Sequence, residues 1–534
     1  MLDSNQYKMR YFQPIIKNTG MAIAFAAVLF ISSCKKFTDL QPKDALPSTI
    51  TFNTAANVEL AAIGIYGTAQ ADIFNGNELI NNEMRGEDMI ASGFTPTIYV
   101  GNIITTDGTV SSAWSKLYGV INQTNTFIDG VHTALAKGVL TTATAASYEG
   151  EARFIRALAH HELVINFARP YLDNSGANPG VPYRTIAVNT PAGLSAALLV
   201  DRGTVKDDYT QILADLDYAE TNLSAGNPAH PISRANKGAA IALKTRIKLH
   251  MGDWQGVITE ATKLGATGSS GSYTSPIGNY KLTPSPDGPF LNNSGNSESI
   301  FSIENSSSSN SGVNTAPAAL FGYTDGNGRG WYITSPNLYN ASFWVSSDLR
   351  RKLLQIQNTS DGSPKFSFNN KYRDQANLTD WTPIIRYAEV LLNAAEAYSR
   401  NSPSDPQALS LLNAVRNRAV ATADQYTSSS FATPNALTQA ILNERRIEFT
   451  GEGLRWPDLH RLSKDQSFSV GGIPAKVSYT DVNSDGTDYD LVNRPAVPTR
   501  ITAIPYTDHR FIWPIPQTET ITNPLLAKEQ NPGY

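Results

Sequence analysis

Apolar residues recur at three- and four-residue steps in several stretches of the chain, and this period predicts amphipathic α-helices. The clearest stretch, residues 151–171, stops at Pro170, because proline lacks the amide hydrogen that a continuing helix needs. Residues 207–223 and 238–251 repeat the same period, so the fold is predicted to be mainly α. The stripe in the first stretch consists of Phe154, Ala157, Leu158, His161, Ile165 and Ala168.

Some of the predicted helices form pairs. The helix over residues 238–251 is followed by the turn Gly252-Asp253 and by a second helix over residues 254–264. A helix, a glycine-containing turn and a second Ala-rich helix are typical of tetratricopeptide-like repeats. The sequence therefore predicts tetratricopeptide-like helix pairs that form a scaffold within a single large globular unit. Further helices of this kind are predicted over residues 385–399, 406–419 and 437–449.

Two long segments interrupt the helical pattern. Residues 269–340 and residues 467–505 are rich in Gly, Ser, Asn and Pro and carry many aromatic residues. Connections of this length are either functional loops or disordered. Residues 299–304 have the composition of a strand, but no segment alternates as a β-barrel or β-sandwich requires. We therefore expect long irregular loops and a few short strands around the helices.

The one sustained apolar run, residues 21–32, follows a basic segment and precedes Cys34. This order predicts a secretory signal, and the run is shorter than the roughly 20 residues of a membrane-spanning helix. The sequence Ile-Ser-Ser-Cys that ends at Cys34 resembles a bacterial lipobox, in which the cysteine becomes attached to diacylglycerol. Residues 1–33 are thus predicted to be a lipoprotein signal peptide, and residues 34–47 a lipid-anchored tether. A plain secretory signal with an unmodified cysteine is the alternative.

Composition narrows the classes of function. Only 17% of the residues are charged, below the roughly 25% of a typical soluble domain, and the net charge is -4. Nucleic-acid binding therefore has no electrostatic basis, and membrane contact is expected through the lipid and not through a basic surface. Cys34 is the only cysteine, which excludes a disulfide framework and a multi-thiolate metal site. Translation can start at Met1 or at Met9.

Seven fragments of the chain resemble, in the same order, motifs of the SusD/RagB-type outer-membrane lipoproteins of Bacteroidetes. One of them, residues 444–459, is similar to the family signature E-R-R-x-E-L…E-G-x-R-W-x-D-L. Its matching charged and aromatic residues are Glu444, Arg445, Arg446, Glu448, Glu452, Arg455, Trp456 and Asp458. The other fragments lie within residues 37–46, 114–129, 151–158, 386–397, 413–419 and 523–534.

The resemblance implies a lipoprotein that is anchored in the cell outer membrane and faces outwards. Such a protein binds an oligomeric nutrient, most often a glycan, and delivers it to a SusC-like TonB-dependent transporter, of which it forms the lid. Catalysis and a required cofactor are not expected. The resemblance also implies an N-terminal SusD-like region, residues 48–270, interleaved with a C-terminal SusD/RagB region, residues 271–534. Two alternatives stay open: a secreted helical carbohydrate-active enzyme (a hydrolase or lyase), and a purely structural interaction protein of the cell surface.

Sugars present flat apolar C–H faces beside hydroxyl groups, so a glycan site needs aromatic rings for stacking and polar groups for hydrogen bonds. Two loop stretches combine these residue types, and in the family they approach one another away from the repeat helices. Alternatively, these rings only anchor the loops. The candidate ligand-binding residues are Arg85, Asp88 and Tyr99 in one stretch and Arg329, Trp331 and Tyr332 in the other.

The charged signature residues can be interpreted as catalytic or as structural. Glu448 and Glu452 lie four residues apart, on one face of a predicted helix, and in principle form an acid/base pair. The interleaved arginines, however, are expected to keep both carboxylates ionised and to lower their pKa values, whereas a general acid needs the reverse. We therefore expect a structural ion network that joins helices.

Two further motifs invite a metal interpretation. His160 and His161 are adjacent on a helix and point about 100° apart, so a buried core histidine is expected at His161. The segment from Asp481 to Asp490 places oxygen ligands at the first, third and fifth positions, as a calcium loop does, but Val492 occupies the twelfth position instead of Glu. Calcium is thus the one cofactor that stays open, against a plain Asx-rich turn. Its candidate ligands are Asp481, Asn483, Asp485, Asp488 and Asp490.

Overall fold

The computed structural model describes residues 48–92, 96–226, 230–268, 271–323, 327–357 and 365–534. Residues 52–534 form one compact unit. The predicted signal peptide (residues 1–33), the predicted lipid attachment site Cys34 and the predicted tether (residues 34–47) lie outside the described residues.

Helices make up most of the regular structure, and the strands are short. The helices of the N-terminal half are α1 (Ser48–Thr51), α2 (Ala55–Ala69), α3 (Asn77–Arg85), α4 (Thr97–Val100), α5 (Gly108–Ala136), α6 (Thr142–Phe167), α7 (Pro191–Ala197), α8 (Val205–Asn222), α9 (Lys237–Met251) and α10 (Trp254–Lys263). Those of the C-terminal half are α11 (Gly288–Leu291), α12 (Pro317–Phe321), α13 (Pro336–Tyr339), α14 (Arg350–Leu353), α15 (Tyr387–Asn401), α16 (Pro406–Arg416), α17 (Pro434–Glu448), α18 (Arg455–Leu462) and α19 (Gln517–Thr522). The strands are β1 (Met89–Ala91), β2 (Ser299–Ile303), β3 (Tyr332–Thr334), β4 (Gln355–Gln357), β5 (Ser367–Asn369), β6 (Thr382–Arg386), β7 (Gly472–Ile473) and β8 (Ile504–Pro505).

The long helices pack in a series. Helix α5 packs against α2 and α6, α6 against α8, α8 against α9, and α9 against α10. The series continues from α10 to α15 and from α15 to α16 and α17. This arrangement confirms the predicted fold class, a mainly α scaffold of helix pairs with a few short strands.

Local sequence signals explain where the helices begin and end. Helix α6 begins earlier than the apolar period suggests, because the Thr141 hydroxyl accepts a hydrogen bond from the Thr144 amide (3.2 Å) and caps the helix. Between α9 and α10, Gly252 adopts φ +70°, the left-handed conformation that ends a helix most easily in glycine. Asp253 then caps α10 by accepting a hydrogen bond from the Gly256 amide at 2.9 Å. The predicted helix–turn–helix unit is therefore present.

Antiparallel strand pairs connect distant parts of the chain. Strand β1 pairs with β3, and β2 pairs with β6. All five residues of β2 are buried, and this strand coincides with the predicted strand at residues 299–304. The β1–β3 pair joins residues on either side of position 270, whereas both strands of the β2–β6 pair follow it. The boundary between the two predicted regions stays a prediction.

The main core is formed by Ala, Leu, Ile and aromatic side chains of the helix series and of the strands. A smaller apolar cluster lies between α2, α5 and α6 and includes Val58, Ile65 and Phe127. Within the part of the chain that the structure describes, every helix is too short or too polar to cross a membrane.

Candidate functional site

The pairing of β1 with β3 brings the two candidate ligand-binding stretches together. Ile90 is paired with Ile333, and Ala91 with Tyr332. Beyond the strand, the Ser92 amide donates a hydrogen bond to the Trp331 carbonyl oxygen at 2.7 Å. Residues 89–92 and 329–334 are thus neighbours, and we call this region the loop edge.

Arg85 lies in the interior and not at the loop edge. Only 2% of its surface is exposed, and its guanidinium carbon lies 3.4 Å from the ring centroid of Trp456 and 4.8 Å from that of Trp513. The guanidinium donates hydrogen bonds to Asn166 Oδ1 (2.7 Å) and to the Phe511 carbonyl oxygen (2.5 Å). Burial lowers the pKa of Arg85 to about 9. Through these contacts, the Arg85 side chain holds the end of α3 in place.

Asp88 and Tyr99 are also buried. Asp88 forms an ion pair with Arg446 at 2.5 Å, and its carboxylate lies 3.4 Å from the guanidinium group of Arg455. The Tyr99 hydroxyl donates a hydrogen bond to the Val477 carbonyl oxygen at 2.7 Å, and burial raises the pKa of Tyr99 far above its usual value. Both side chains therefore anchor the loops, which is the alternative that the sequence left open.

The second stretch divides into a buried residue and a half-buried pair. Tyr332 is 5% exposed, its ring packs 6.2 Å from that of Phe321, and burial raises its pKa to about 12. Arg329 and Trp331 are only half-buried. The Arg329 guanidinium carbon lies 4.7 Å from the Trp331 ring centroid, which is cation–π geometry. Of the six candidates, these two are the ones that reach the surface.

The signature residues form a buried network of ion pairs between α17, α18 and their neighbours. Glu448 lies 2.8 Å from Arg350, 3.0 Å from Arg386 and 2.7 Å from Arg418. Burial alone would raise the pKa of Glu448, but the three guanidinium groups hold it well below its usual range. Glu452 pairs in turn with Arg386 at 2.8 Å. Both carboxylates that could have been an acid/base pair are therefore engaged by arginine.

The same network reaches the N-terminal stretch. Asp458 lies 2.8 Å from both Arg445 and Arg461, and these two arginines outweigh its burial and lower its pKa to about 2. Glu444 pairs with Arg350 at 2.6 Å. The remaining signature residues, Arg446, Arg455 and Trp456, contact Asp88, Glu87 and Arg85. The signature thus fixes α17 and α18 to the segment that leads into β1.

The adjacent histidines are core residues, as expected for His161. The His160 Nδ1–H donates to the Arg156 carbonyl oxygen (3.0 Å), and Nε2 accepts from the Arg184 amide (3.2 Å). His161 packs edge-on against His250, with ring centroids 4.8 Å apart. Burial lowers the pKa of His160 and of His161 well below the usual value. In the described ranges, no three His, Cys, Asp or Glu side chains are placed to hold a metal ion.

The oxygen atoms of the candidate calcium loop bond to the loop itself and to Arg500. Asp488 accepts hydrogen bonds from the Asn483 amide (2.6 Å) and from its side chain (3.0 Å). Asp485 accepts from Thr487, Asp490 accepts from Val492, and Asp481 pairs with Arg500. These contacts are those of an Asx-rich turn, and calcium binding stays a prediction.

Sequence reasoning missed a concave pocket of about 300 Å³ beside α2. Three separate segments form it, so no local motif marks it. One signal was available in α2 itself, whose apolar residues are not confined to the buried face: Leu60 is 56% and Ile63 46% exposed. The lining residues are Ile63, Tyr66, Gly67, Gln70, His230, Ser233, Arg234, Ile303, Glu304, Asn305, Ser306 and Ser309.

Comparison with known proteins assigns both halves of the chain. A family model described as the SusD family matches residues 323–534, and a second model, described as starch-binding associating with outer membrane, matches residues 36–249. The chain is 26% identical over 531 residues to SusD-like protein P2 of Formosa agariphila, and the match covers 90% of this chain and 93% of the relative.

Solved structures show the same fold. A SusD superfamily protein from Bacteroides fragilis superposes with a TM-score of 0.71 at 25% identity, over 89% of this chain and 99% of that one. The surface glycan-binding protein A from Bacteroides uniformis superposes with a TM-score of 0.67 at 20% identity, over 90% of this chain and 99% of that one.

Proposed function

The chain belongs to the SusD/RagB family, and from this premise we propose that it captures a glycan at the loop edge and delivers it to a SusC-like TonB-dependent transporter. SusD-like proteins are carbohydrate-binding surface proteins, and the model matched by residues 36–249 is described as associating with the outer membrane. In this proposal Cys34 carries the lipid anchor, and the protein acts as the lid of the transporter.

The observation that carries the choice of site is the pairing of β1 with β3. It sets the half-buried Trp331 and Arg329 beside Ser92, at a surface where aromatic and polar groups converge. An indole ring can stack on the apolar face of a sugar, and a guanidinium group donates hydrogen bonds to its hydroxyl groups. The Asp88–Arg446 ion pair holds the segment that leads into β1. The loop edge thus rests on the network of ion pairs made by the signature residues Glu444 to Asp458, which we call the frame.

The geometry favours binding over hydrolysis. A glycosidase needs a carboxylic acid with a raised pKa within reach of the substrate. Glu448 and Glu452 are paired with arginine. Burial does raise the pKa of Glu83 to about 8, but Glu83 is only 1% exposed and accepts hydrogen bonds from the Gly451 and Gly453 amides. A substrate at the surface does not reach that carboxyl group.

A glycan array with the full-length protein in detergent tests the proposal, with Trp331→Ala as the site variant. The chain offers a matched control in Trp254, which is also half-buried and has Arg400 at 5.0 Å from its ring centroid. We expect Trp331→Ala to weaken glycan binding about tenfold, the loss of roughly 1.4 kcal/mol, and Trp254→Ala to leave it unchanged.

The rival functions predict other results. A structural surface protein would bind no glycan on the array, and an enzyme would release shortened products from the bound polysaccharide. Delivery to a transporter is tested separately, by co-purification of a TonB-dependent outer-membrane protein with the full-length chain from detergent extracts of native membranes. Recovery of the chain without such a protein would contradict the delivery step but not glycan binding.

A further inference from the structure

The pocket beside α2 has a floor that is fixed by paired charges. The Tyr66 hydroxyl donates a hydrogen bond to Glu151 at 2.6 Å. Arg234 binds Glu151 through two hydrogen bonds, of 2.5 and 2.7 Å, and contacts Glu59 at 2.7 Å. Because these groups satisfy one another, the floor is a preformed surface and not a collapsed gap.

One wall of the pocket is apolar. Helix α2 turns Val58, Ala62 and Ile65 towards the core, yet its outer face also carries apolar residues, among them Ile63 at 46% exposure. Next to it lies Gly67, where an added Cβ would meet no atom within 4 Å. The wall therefore presents aliphatic surface with open space in front of it, and apolar surface rimmed by polar residues is typical of a ligand-binding groove.

The opposite rim is rich in hydrogen-bonding groups. Gln70 donates to the Glu304 carbonyl oxygen (2.5 Å) and to Asn305 Oδ1 (3.0 Å), and it accepts from the Ser309 hydroxyl (2.8 Å). The side-chain amide of Gln70 thus fixes the position of the serine-rich segment that follows β2. The side chains of Glu304 and Ser306 are exposed at this rim, and that of His230 is half-exposed.

The combination identifies the chemistry of the ligand. An apolar wall opposite hydroxyl, amide and carboxylate groups suits a molecule with flat C–H faces and many hydroxyl groups, which is a sugar. Arg234 is the one arginine among the lining residues, and its charge is already paired with Glu151 and Glu59, whereas the exposed carboxylate of Glu304 lies at the rim. An acidic sugar is therefore disfavoured by like charge.

We propose that this pocket is a second carbohydrate subsite, separate from the loop edge, which takes a neutral mono- or disaccharide unit. The inference rests on the proposed function of glycan binding. A volume of about 300 Å³ lies at the small end of the range for small-molecule sites, so it holds a short unit and not a long chain. Two subsites on one molecule would raise the affinity for an oligosaccharide that is long enough to occupy both.

The test uses two glycines of the same helix. Gly67 lines the pocket, whereas Gly64, at which an added Cβ also meets open space, does not. Gly67→Gln extends a side chain into the pocket, and Gly64→Gln is the matched control, since both replace a helical glycine with a better helix former. Full-length protein carrying Trp331→Ala is titrated by calorimetry with maltose, cellobiose, xylobiose and digalacturonate.

We expect at least one neutral disaccharide to bind and digalacturonate not to bind. Gly67→Gln should weaken that binding at least tenfold, and Gly64→Gln should leave it within twofold. Equal binding by the two glutamine variants would overturn the second subsite and leave the loop edge untouched. Failure of every neutral disaccharide to bind, while the array still shows binding of longer glycans that depends on Trp331, would overturn it as well.

Discussion

Arg386 and Arg329 show two environments for an arginine in this chain. Arg386 lies in the interior and contacts three carboxylates, Glu298 at 2.5 Å, Glu448 at 3.0 Å and Glu452 at 2.8 Å. Arg329 is half-buried at the loop edge and lies over the ring of Trp331. The first kind of charge is inaccessible to a ligand, while the second remains near the surface.

The residues that identify the family therefore differ from those proposed to bind the ligand. The charged residues that identify the family lie between Glu444 and Asp458, and they form ion pairs within the frame. The loop edge depends on that frame through Asp88 and Arg446 but takes its own surface residues from loops that the signature does not cover. The signature residues and the proposed ligand contacts are therefore different residues.

The largest expected effect on stability comes from Arg386→Met. Removal of this guanidinium leaves three buried carboxylates with too few partners, and breaking a buried ion pair in this way costs about 3–5 kcal/mol. The free energy of unfolding, measured by denaturant titration, should fall by that amount. Glycan affinity of the molecules that remain folded should change little, because Arg386 is buried and cannot contact a ligand.

Arg500→Met is the matched control for this loss. Arg500 also contacts a carboxylate, Asp481 at 2.7 Å, but its side chain is 70% exposed. An exposed ion pair contributes about 0–1 kcal/mol, so the control should stay close to the native stability. Equal losses in the two variants would show that burial does not set the strength of the network.

The outcome for individual residues shows how far sequence reasoning reaches. The helix pair at Gly252 and the strand at residues 299–304 could be predicted, since their signals are local. The burial of Asp88 could not, because its partner Arg446 lies 358 positions away along the chain. A charged residue in a short loop segment looks exposed until the contact that covers it is known. For the same reason the pocket beside α2, which three segments form, had no motif.

A second effect concerns pH and involves Glu83, which joins α3 to the end of α17. Burial outweighs the hydrogen bond from the Gly453 amide and raises the pKa of Glu83 to about 8 from its ordinary value of 4.5. Between these pH values the folded chain retains a proton that the unfolded chain releases. The free energy of unfolding contributed by Glu83 is therefore present below pH 4.5 and is lost as the pH rises to about 8.

Glu83→Gln removes this titration. The slope of unfolding free energy against pH should differ between the variant and the native chain by about 1.4 kcal/mol per pH unit within that window, with the native chain losing stability faster. Denaturant titrations at half-unit steps of pH measure the difference. Parallel curves would contradict the assignment of a protonated carboxyl group to this position.

Arg446→Met addresses the link between the frame and the loop edge. Arg446 contacts Asp88 through two hydrogen bonds, of 2.5 and 3.1 Å, and Asp88 keeps only the longer contact to Arg455 when it is removed. We expect a loss of about 2 kcal/mol in the free energy of unfolding, the range of a hydrogen bond to a charged group. Glycan affinity should fall as well, because the segment that leads into β1 loses its main ion pair. An unchanged affinity would show that the loop edge does not depend on this pair.

The smallest expected effect on stability belongs to Arg329→Lys, which acts on the loop edge alone. A substitution at a half-buried surface position changes stability by about 0.5 kcal/mol or less, so the melting temperature should remain close to that of the native chain. Glycan affinity should nevertheless fall several-fold, because lysine keeps the charge but loses the planar group that stacks on Trp331 and offers paired donors to hydroxyl groups. The two measurements together separate a ligand contact from a structural one: a lowered melting temperature with unchanged affinity would place Arg329 with Arg386, as part of the frame.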